Sequence, residues 1–139
     1  MYRIQQTKDF DAIEKLDKRI FPTDDRIERK LGGAYWLLHH SGRKVGFCAL
    51  HPLPYEPSVC FLARAGILQA HQGNGLQKRM INVRVRHAQA QGFSHVLTYA
   101  WIRNPQSISN LIKTGFKMYE PATYWAGDEM LYFIKDIRI

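Results

Sequence analysis

Apolar and polar positions along this 139-residue chain change period several times, and each change predicts an element. Tyr2 and Ile4 alternate with Arg3 and Gln5, which predicts a short first strand. Phe10, Ile13, Leu16 and Ile20 recur at helical spacing, with Thr7 placed as cap and Pro22 as stop. Thr23 can cap a second short helix, with Asp24 and Asp25 favoured in its first turn by the helix dipole. Gly32-Gly33 breaks the chain. Ala34 to His40 and Lys44 to Leu50 read as two strands joined by a Ser41-Gly42 hairpin turn. Pro52, Pro54 and Pro57 mark an irregular loop. Val59 to Leu68 reads as a long strand, and Gly66 inside it predicts a bulge or a close backbone approach. Leu76 to Gln91 is an amphipathic helix stopped by Gly92, and Ser94 to Arg103 is a strand. Asn104-Pro105 opens another helix, with Asn as cap and Pro at the first helical position. Ile108, Leu111 and Ile112 give that helix a buried face and Gly115 ends it. Phe116 to Tyr119 and Met130 to Ile137 are the last strands.

The order is strand, two helices, three strands, helix, strand, helix, two strands. Strand–helix–strand units in the second half require parallel pairing there, whereas the hairpin requires antiparallel pairing earlier. The expected architecture is α/β (α+β): a mixed, mostly antiparallel central sheet of six to seven strands, with helices on both faces. Residues 1–139 suit one domain, without internal repeat, linker or low-complexity segment.

Composition narrows the setting. A hydrophobic share of 45% is that of a folded body, not of a disordered chain. No apolar run reaches transmembrane length and the polar start is unlike a signal peptide, so a cytoplasmic protein without membrane contact is expected. Cys48 and Cys60 fit reduced, buried thiols. Twenty Lys and Arg against twelve Asp and Glu give a formal charge of +8. Such an excess suits nucleic acid, an acidic substrate or a polyphosphate cofactor, and equally serves solubility. The cations are scattered, and Arg79, Arg84 and Arg86 form their densest group.

The stretch Gln72-Gly73-Asn74-Gly75-Leu76-Gln77 carries the sharpest signal. It joins an apolar strand to a long helix. Unpaired amides and the positive end of the helix dipole make such a turn an anion cradle, suited to a phosphate-bearing cofactor. No Gly-x-Gly-x-x-Gly occurs, and the Gly-Lys-Ser/Thr ending of a nucleoside-triphosphate loop is absent.

Gln72, Gly73, Asn74, Gly75 and Leu76 match one motif of the GNAT superfamily of acyl-CoA-dependent N-acetyltransferases. Gln77 stands where a small residue is usual. Asn104, Ser107 and Gly115-Phe116 match the second motif. Motifs and element order together make nearly the whole chain resemble that family. The resemblance implies acetyl-CoA as cosubstrate, in a gap where the parallel strands splay. Ile67, Leu68 and Gln69 would offer main-chain contacts to the pantetheine arm. Gln72 to Gln77 would hold the pyrophosphate, and Asn104 and Ser107 would touch the arm from the other wall. Asn104 serves equally as a plain helix cap.

The implied reaction transfers acetyl to a primary amine of a small molecule, peptide or protein by direct attack in a ternary complex. A backbone N–H at Leu68 would polarise the carbonyl. The family's usual acid is a Tyr seven residues after the motif Asn, where this chain has Leu111. Tyr119 is the named substitute, with Tyr124 and Tyr99 as others. For the base, the family's strand Glu is missing, leaving Glu56, His51, Asp128, Glu129 or a chain of water. His39, His40, Cys48, His51 and Cys60 match no usual zinc spacing, so no metal is expected. Asp24, Asp25, Glu28, Tyr99, Trp101, Tyr124 and Trp125 fall where the family shapes its acceptor site, and suit a cationic amine. Two other readings stay open: a non-catalytic acyl-CoA-binding module of the same fold, and a basic nucleic-acid-binding domain with Trp36, Trp101 or Trp125 stacking on bases. Homodimers are frequent in the family, so a second copy is one further partner.

Overall fold

The structure, a computed structural model, describes residues 1–139. Seven strands and three helices follow in the order β1 (Tyr2–Thr7), α1 (Phe10–Ile20), β2 (Ala34–His40), β3 (Arg43–Leu53), β4 (Glu56–Ile67), α2 (Leu76–Ala90), β5 (His95–Trp101), α3 (Pro105–Lys113), β6 (Lys117–Met118) and β7 (Met130–Asp136). A single 3-10 turn, Gln69–His71, precedes α2. The strands form one mixed sheet in the order β1-β2-β3-β4-β5-β7-β6, and β4–β5 is its parallel pair. This is the expected mixed architecture, at the upper end of the expected strand number.

Two compact units share the chain: Met1–His51 with Ala63–Leu76, and Pro52–Leu62 with Gln77–Ile139. In the first, the β2–β3 hairpin turns at Ser41 and Gly42, both with positive φ, the geometry that matches strand twist. One face of the hairpin presents Tyr35, Leu37, Phe47 and Ala49 to Ala12, Ile13 and Leu16 of α1. A Cβ on Gly66 would come within 2.8 Å of the Phe21 ring, and one on Gly46 within 2.8 Å of the Gly66 carbonyl. Close approach therefore accounts for the glycine inside β4.

Several boundaries differ from the sequence reading. The cap of α1 is Asp9, whose carboxylate accepts from the Ala12 N–H at 3.2 Å, while Thr7 Oγ1 accepts from Asp9 N–H. No helix follows Thr23: the segment runs irregularly to Gly33. Two distant side chains hold it in that form. The buried Asp17 carboxylate takes the Ile27 N–H at 2.9 Å, and Arg64 on β4 donates to the Asp25 carbonyl at 2.8 Å and to Asp17 at 2.8 Å. The proline-marked loop shrinks to a turn at Pro54-Tyr55, because Pro52 and Pro57 lie within strand ends.

In the second unit, α3 is capped as expected. Asn104 Oδ1 accepts from the Ser107 N–H at 3.1 Å and Pro105 takes the first turn. Its end is a Schellman closure: the Phe116 N–H reaches the Leu111 carbonyl and the Gly115 N–H reaches that of Ile112. Leu111 is buried with Asn110, whereas Ile112 is exposed, contrary to the expected apolar face.

Candidate active site

Gly73 and Gly75 hold φ of +84° and +70°, and nothing lies within 4 Å of where their side chains would begin. L-residues rarely adopt this backbone, and the open space above it lets a ligand approach the main chain. The turn is braced from below. Gln72 Nε2 donates to the Ile67 carbonyl at 3.0 Å, and Asn74 Nδ2 donates to the His71 carbonyl at 3.0 Å. The Tyr2 hydroxyl pairs with His71 Nδ1 at 3.0 Å, and the Tyr2 ring stacks on His40 with centroids 4.3 Å apart. Sequence reading missed Tyr2 and His71 as supports, because 69 residues separate them and neither lies in a motif.

α2 begins directly after this turn. The leading amides of any helix lack a carbonyl one turn back, so those of Leu76 and Gln77 have no partner within α2. Acids are the residues that suit a helix N-terminus, yet α2 has none in its first turn or anywhere along it. Lys78 and Arg79 stand there instead, with Arg84 and Arg86 beyond. Cations at the positive end oppose the dipole, and a bound polyanion relieves that conflict. The residues thus fit a diphosphate: room at the glycines, amides without a partner inside the helix, and positive charge.

The parallel pairing of β4 and β5 is short. It runs from Val59↔His95 to Phe61↔Leu97, although β4 continues to Ile67 and β5 to Trp101. Just beyond the last pair the Thr98 hydroxyl donates to the Leu62 carbonyl at 3.3 Å, a side chain standing in for the ladder. The pairing ends among rings. Phe61 and Tyr99 stack with centroids 5.8 Å apart, and Trp125 meets both edge-on at 5.6 and 5.4 Å. Tyr132 carries the cluster on to Tyr124 and Tyr119.

The expected site residues are not all equally placed. Ile67 meets Gln72 through its carbonyl, and Asn104 meets Ser107 through the cap. Gln69 opens the 3-10 turn and its carbonyl accepts from the Gln72 N–H at 3.3 Å. The Leu68 N–H donates to the Val45 carbonyl at 2.9 Å, and the Leu68 carbonyl accepts from the His71 N–H at 2.9 Å. Glu56 opens β4, exposed and accepting from the Ser58 hydroxyl at 2.8 Å, whereas Leu68 follows the last residue of that strand.

Tyr119 is half-buried beside Tyr132, and loss of solvent raises its pKa, so it keeps its proton at neutral pH. His51 is withdrawn from chemistry. Its Nε2 lies 3.0 Å from the Tyr35 hydroxyl, which already accepts from the Lys30 N–H, so Tyr35 donates to a neutral ring. Burial, aided by the Lys30 charge, brings the His51 pKa down to about 4. Cys60 is buried and pushed up to about 12 by desolvation, so it is a packing thiol. No helix is long and apolar enough to cross a membrane.

Comparison with known proteins agrees with this geometry. The family model for the acetyltransferase (GNAT) family matches residues 1–116. The ribosomal-protein-S18-alanine N-acetyltransferase of Escherichia coli has a similar fold at TM-score 0.79 and 14% identity, over 100% of this chain and 96% of that one. An acetyltransferase of Bacillus subtilis solved with CoA aligns at TM-score 0.77 and 16% identity, covering 98% and 99%. The IAA acetyltransferase of Bacillus cereus aligns at TM-score 0.77 and 15% identity, again over 98% and 99%. The search among curated protein sequences finds no match. Glycine turn, short parallel pair, capped α3 and a family match over most of the sequence converge: this chain belongs to the acetyltransferase (GNAT) family.

Proposed function

We propose that this protein is an N-acetyltransferase acting on a primary amine, with acetyl-CoA as cosubstrate and the chain working as one domain. The observation that carries the reading is the open turn Gln72–Gln77, with positive φ at both glycines, set ahead of an acid-free helix. The amides from Gly73 to Gln77 would take the diphosphate, with Lys78 and Arg79 adding charge. Ile67 and Gln69 would offer their main chains to the arm. Bound acetyl-CoA supplies an activated acyl carbon. A neutral amine attacks it directly: an N–C bond forms, the C–S bond breaks, and the proton lost by nitrogen ends on the departing thiol.

Little is asked of an acid, since a thiol of pKa about 8.5 leaves tolerably unaided. Tyr119, kept protonated by burial, is the donor this reading assigns. Leu111 cannot serve, being apolar and buried under the Schellman closure. No carboxylate is assigned as base. An α-amine, with a pKa near about 7.8, loses its proton more readily than a lysine-like amine near about 10.4.

The test is a pair of measurements. Calorimetry with coenzyme A should give uptake at micromolar concentration, and free thiol should appear when acetyl-CoA and an amine panel are added. The binding-module reading is favoured by Leu111 and by the engaged Leu68 amide. Uptake without thiol release across the panel would select it, and absence of uptake would overturn both.

A further inference from the structure

We infer that the ring cluster at the end of the β4–β5 pairing is a subsite for an ammonium group, so that the acceptor carries at least two amino groups, one held as a cation and one left neutral to react. The inference rests on the acetyl-transfer reading and names its substrate class.

The rings are open to solvent where they should not be if packing were their only role. Tyr99 is 37% exposed, Tyr124 51% and Trp125 45%. They are also held in place. The Tyr132 hydroxyl accepts from the Ala126 N–H at 2.9 Å and donates to the Gly127 carbonyl at 2.9 Å, which ties the turn bearing Tyr124 and Trp125 to β7. Tyr99 lies opposite Tyr132 in the β5–β7 register, so strand pairing sets the spacing of the platform. A rigid, exposed aromatic surface is a costly arrangement without an occupant.

The charge around the rings selects that occupant. From Met118 to Ile134 the chain has no Lys, Arg or His, but it has Glu120, Asp128 and Glu129. This occurs in a protein of formal charge +8. Glu120 accepts a hydrogen bond from the Tyr124 hydroxyl, and Asp128 adds its field to the same ring. The cations that follow on β7 and its tail are engaged elsewhere. Lys135 donates to the Thr114 carbonyl at 2.7 Å, and Arg138 pairs with Asp136. Electron-rich ring faces beside carboxylates bind ammonium groups.

The same forces decide which amine sits here. Ring faces and carboxylates stabilise the charged form and raise the pKa of a bound amine. The attacking nitrogen needs the opposite, a free lone pair. The amine held by the cluster is therefore not the one acetylated, and a second amino group must reach the acyl carbon. Phe61 is both a member of the cluster and the last residue of β4 paired with β5, so the subsite stands where that pairing ends.

The experiment compares 1,4-diaminobutane with n-butylamine, titrated by calorimetry into the full chain saturated with coenzyme A. The diamine should bind roughly tenfold more tightly. Trp125→Leu and Glu120→Gln should each lower that preference about threefold, and the double variant should abolish it, with coenzyme A affinity unchanged. Both residues are exposed, so the variants should fold, and Asp128→Asn provides an independent surface variant with the same expected direction. Equal binding of the two amines, or a preference that survives the double variant, overturns the inference. Coenzyme A uptake and thiol release with n-butylamine report on acetyl transfer alone: their presence without a diamine preference overturns the subsite and spares the enzyme, and absence of uptake overturns the enzyme reading itself.

Discussion

α2 and the segment from Met118 to Ile134 are opposite in chemistry. The first holds Lys78, Arg79, Arg84 and Arg86 and no acid; the second holds Glu120, Asp128 and Glu129 and no Lys, Arg or His. The first begins from bare backbone amides and the second displays exposed rings. Net charge alone conceals this division. A total of +8 suggests one basic surface, whereas the sequence keeps a cationic helix start and an anionic aromatic platform apart. Each departs from what folding alone favours: cations oppose the dipole at a helix N-terminus, and large rings usually avoid water. Paired departures of opposite sign suit two ligands of opposite charge.

The most severe way to break the contrast is at the amides. Gly75→Trp fills the open space above the turn and forces an L-residue into φ near +70°. Coenzyme A affinity should fall by roughly a thousandfold, the loss expected when several charge-assisted amide bonds go together. Calorimetry measures it, with the thermal midpoint as control for the fold. Amine binding at the rings should be unaffected. Unchanged coenzyme A affinity would remove the cationic region from the cofactor account.

Because the comparison rests on charge, pH must be varied without unfolding the chain, and His51 sets the lower limit. Buried neutral with a pKa near about 4, it refuses the proton that the unfolded chain accepts below its ordinary value of about 6.5. Its stabilising contribution is fully present above about pH 6.5 and is lost as pH falls toward 4, on the order of 3 kcal/mol in all. Denaturant melts across that window should show the slope, and His51→Gln should flatten it. A wild-type slope of zero would show that His51 is protonated without penalty. Binding comparisons between the two regions accordingly belong above pH 6.5.

How much of this contrast could be read in the sequence follows from range. The glycine turn, the Ser41-Gly42 hairpin and the Asn104–Gly115 helix are local, each set by neighbours a few residues away, and all three stand as expected. The helix expected after Thr23 fails because Asp17 and Arg64, far along the chain, claim the Ile27 N–H and the Asp25 carbonyl. That the Leu68 amide is bonded to Val45 is likewise set by residues far along the chain. Charge alone does not show that Glu56 opens β4 while Leu68 follows its last residue. The aromatics were visible singly. Their assembly depends on β5–β7 register and on Tyr132 holding the Ala126–Gly127 turn.

A sharper test sets binding against folding within α2. Lys78→Glu places an acid in the first turn, where the dipole favours it, so the ligand-free protein should become more stable by about 0.5 kcal/mol. Coenzyme A affinity should move the other way, falling about tenfold as one cation becomes an anion beside the diphosphate. Opposite signs in melting and in calorimetry are the distinctive outcome. If both rise together, Lys78 is a solubility charge and the acid-free character of α2 has no bearing on a ligand.

The smallest effect belongs to the brace beneath the turn. Tyr2→Phe keeps the ring stacked on His40 but deletes the hydroxyl that pairs with His71 at 3.0 Å and lies 3.5 Å from Asn74 Nδ2. The turn retains the Gln72–Ile67 and Asn74–His71 bonds, so it should loosen without collapsing. One net hydrogen bond is worth about 1 kcal/mol, which predicts a three- to fivefold rise in KM for acetyl-CoA with kcat unchanged. The preference for a diamine over a monoamine should be the same as in the unmodified protein, since Tyr2 belongs to neither the rings nor their carboxylates. Steady-state kinetics with both amines measures these quantities together. A change in kcat without a change in KM would mean that Tyr2 acts on the chemical step, and the separation between a cofactor region and an acceptor region would then have to be redrawn.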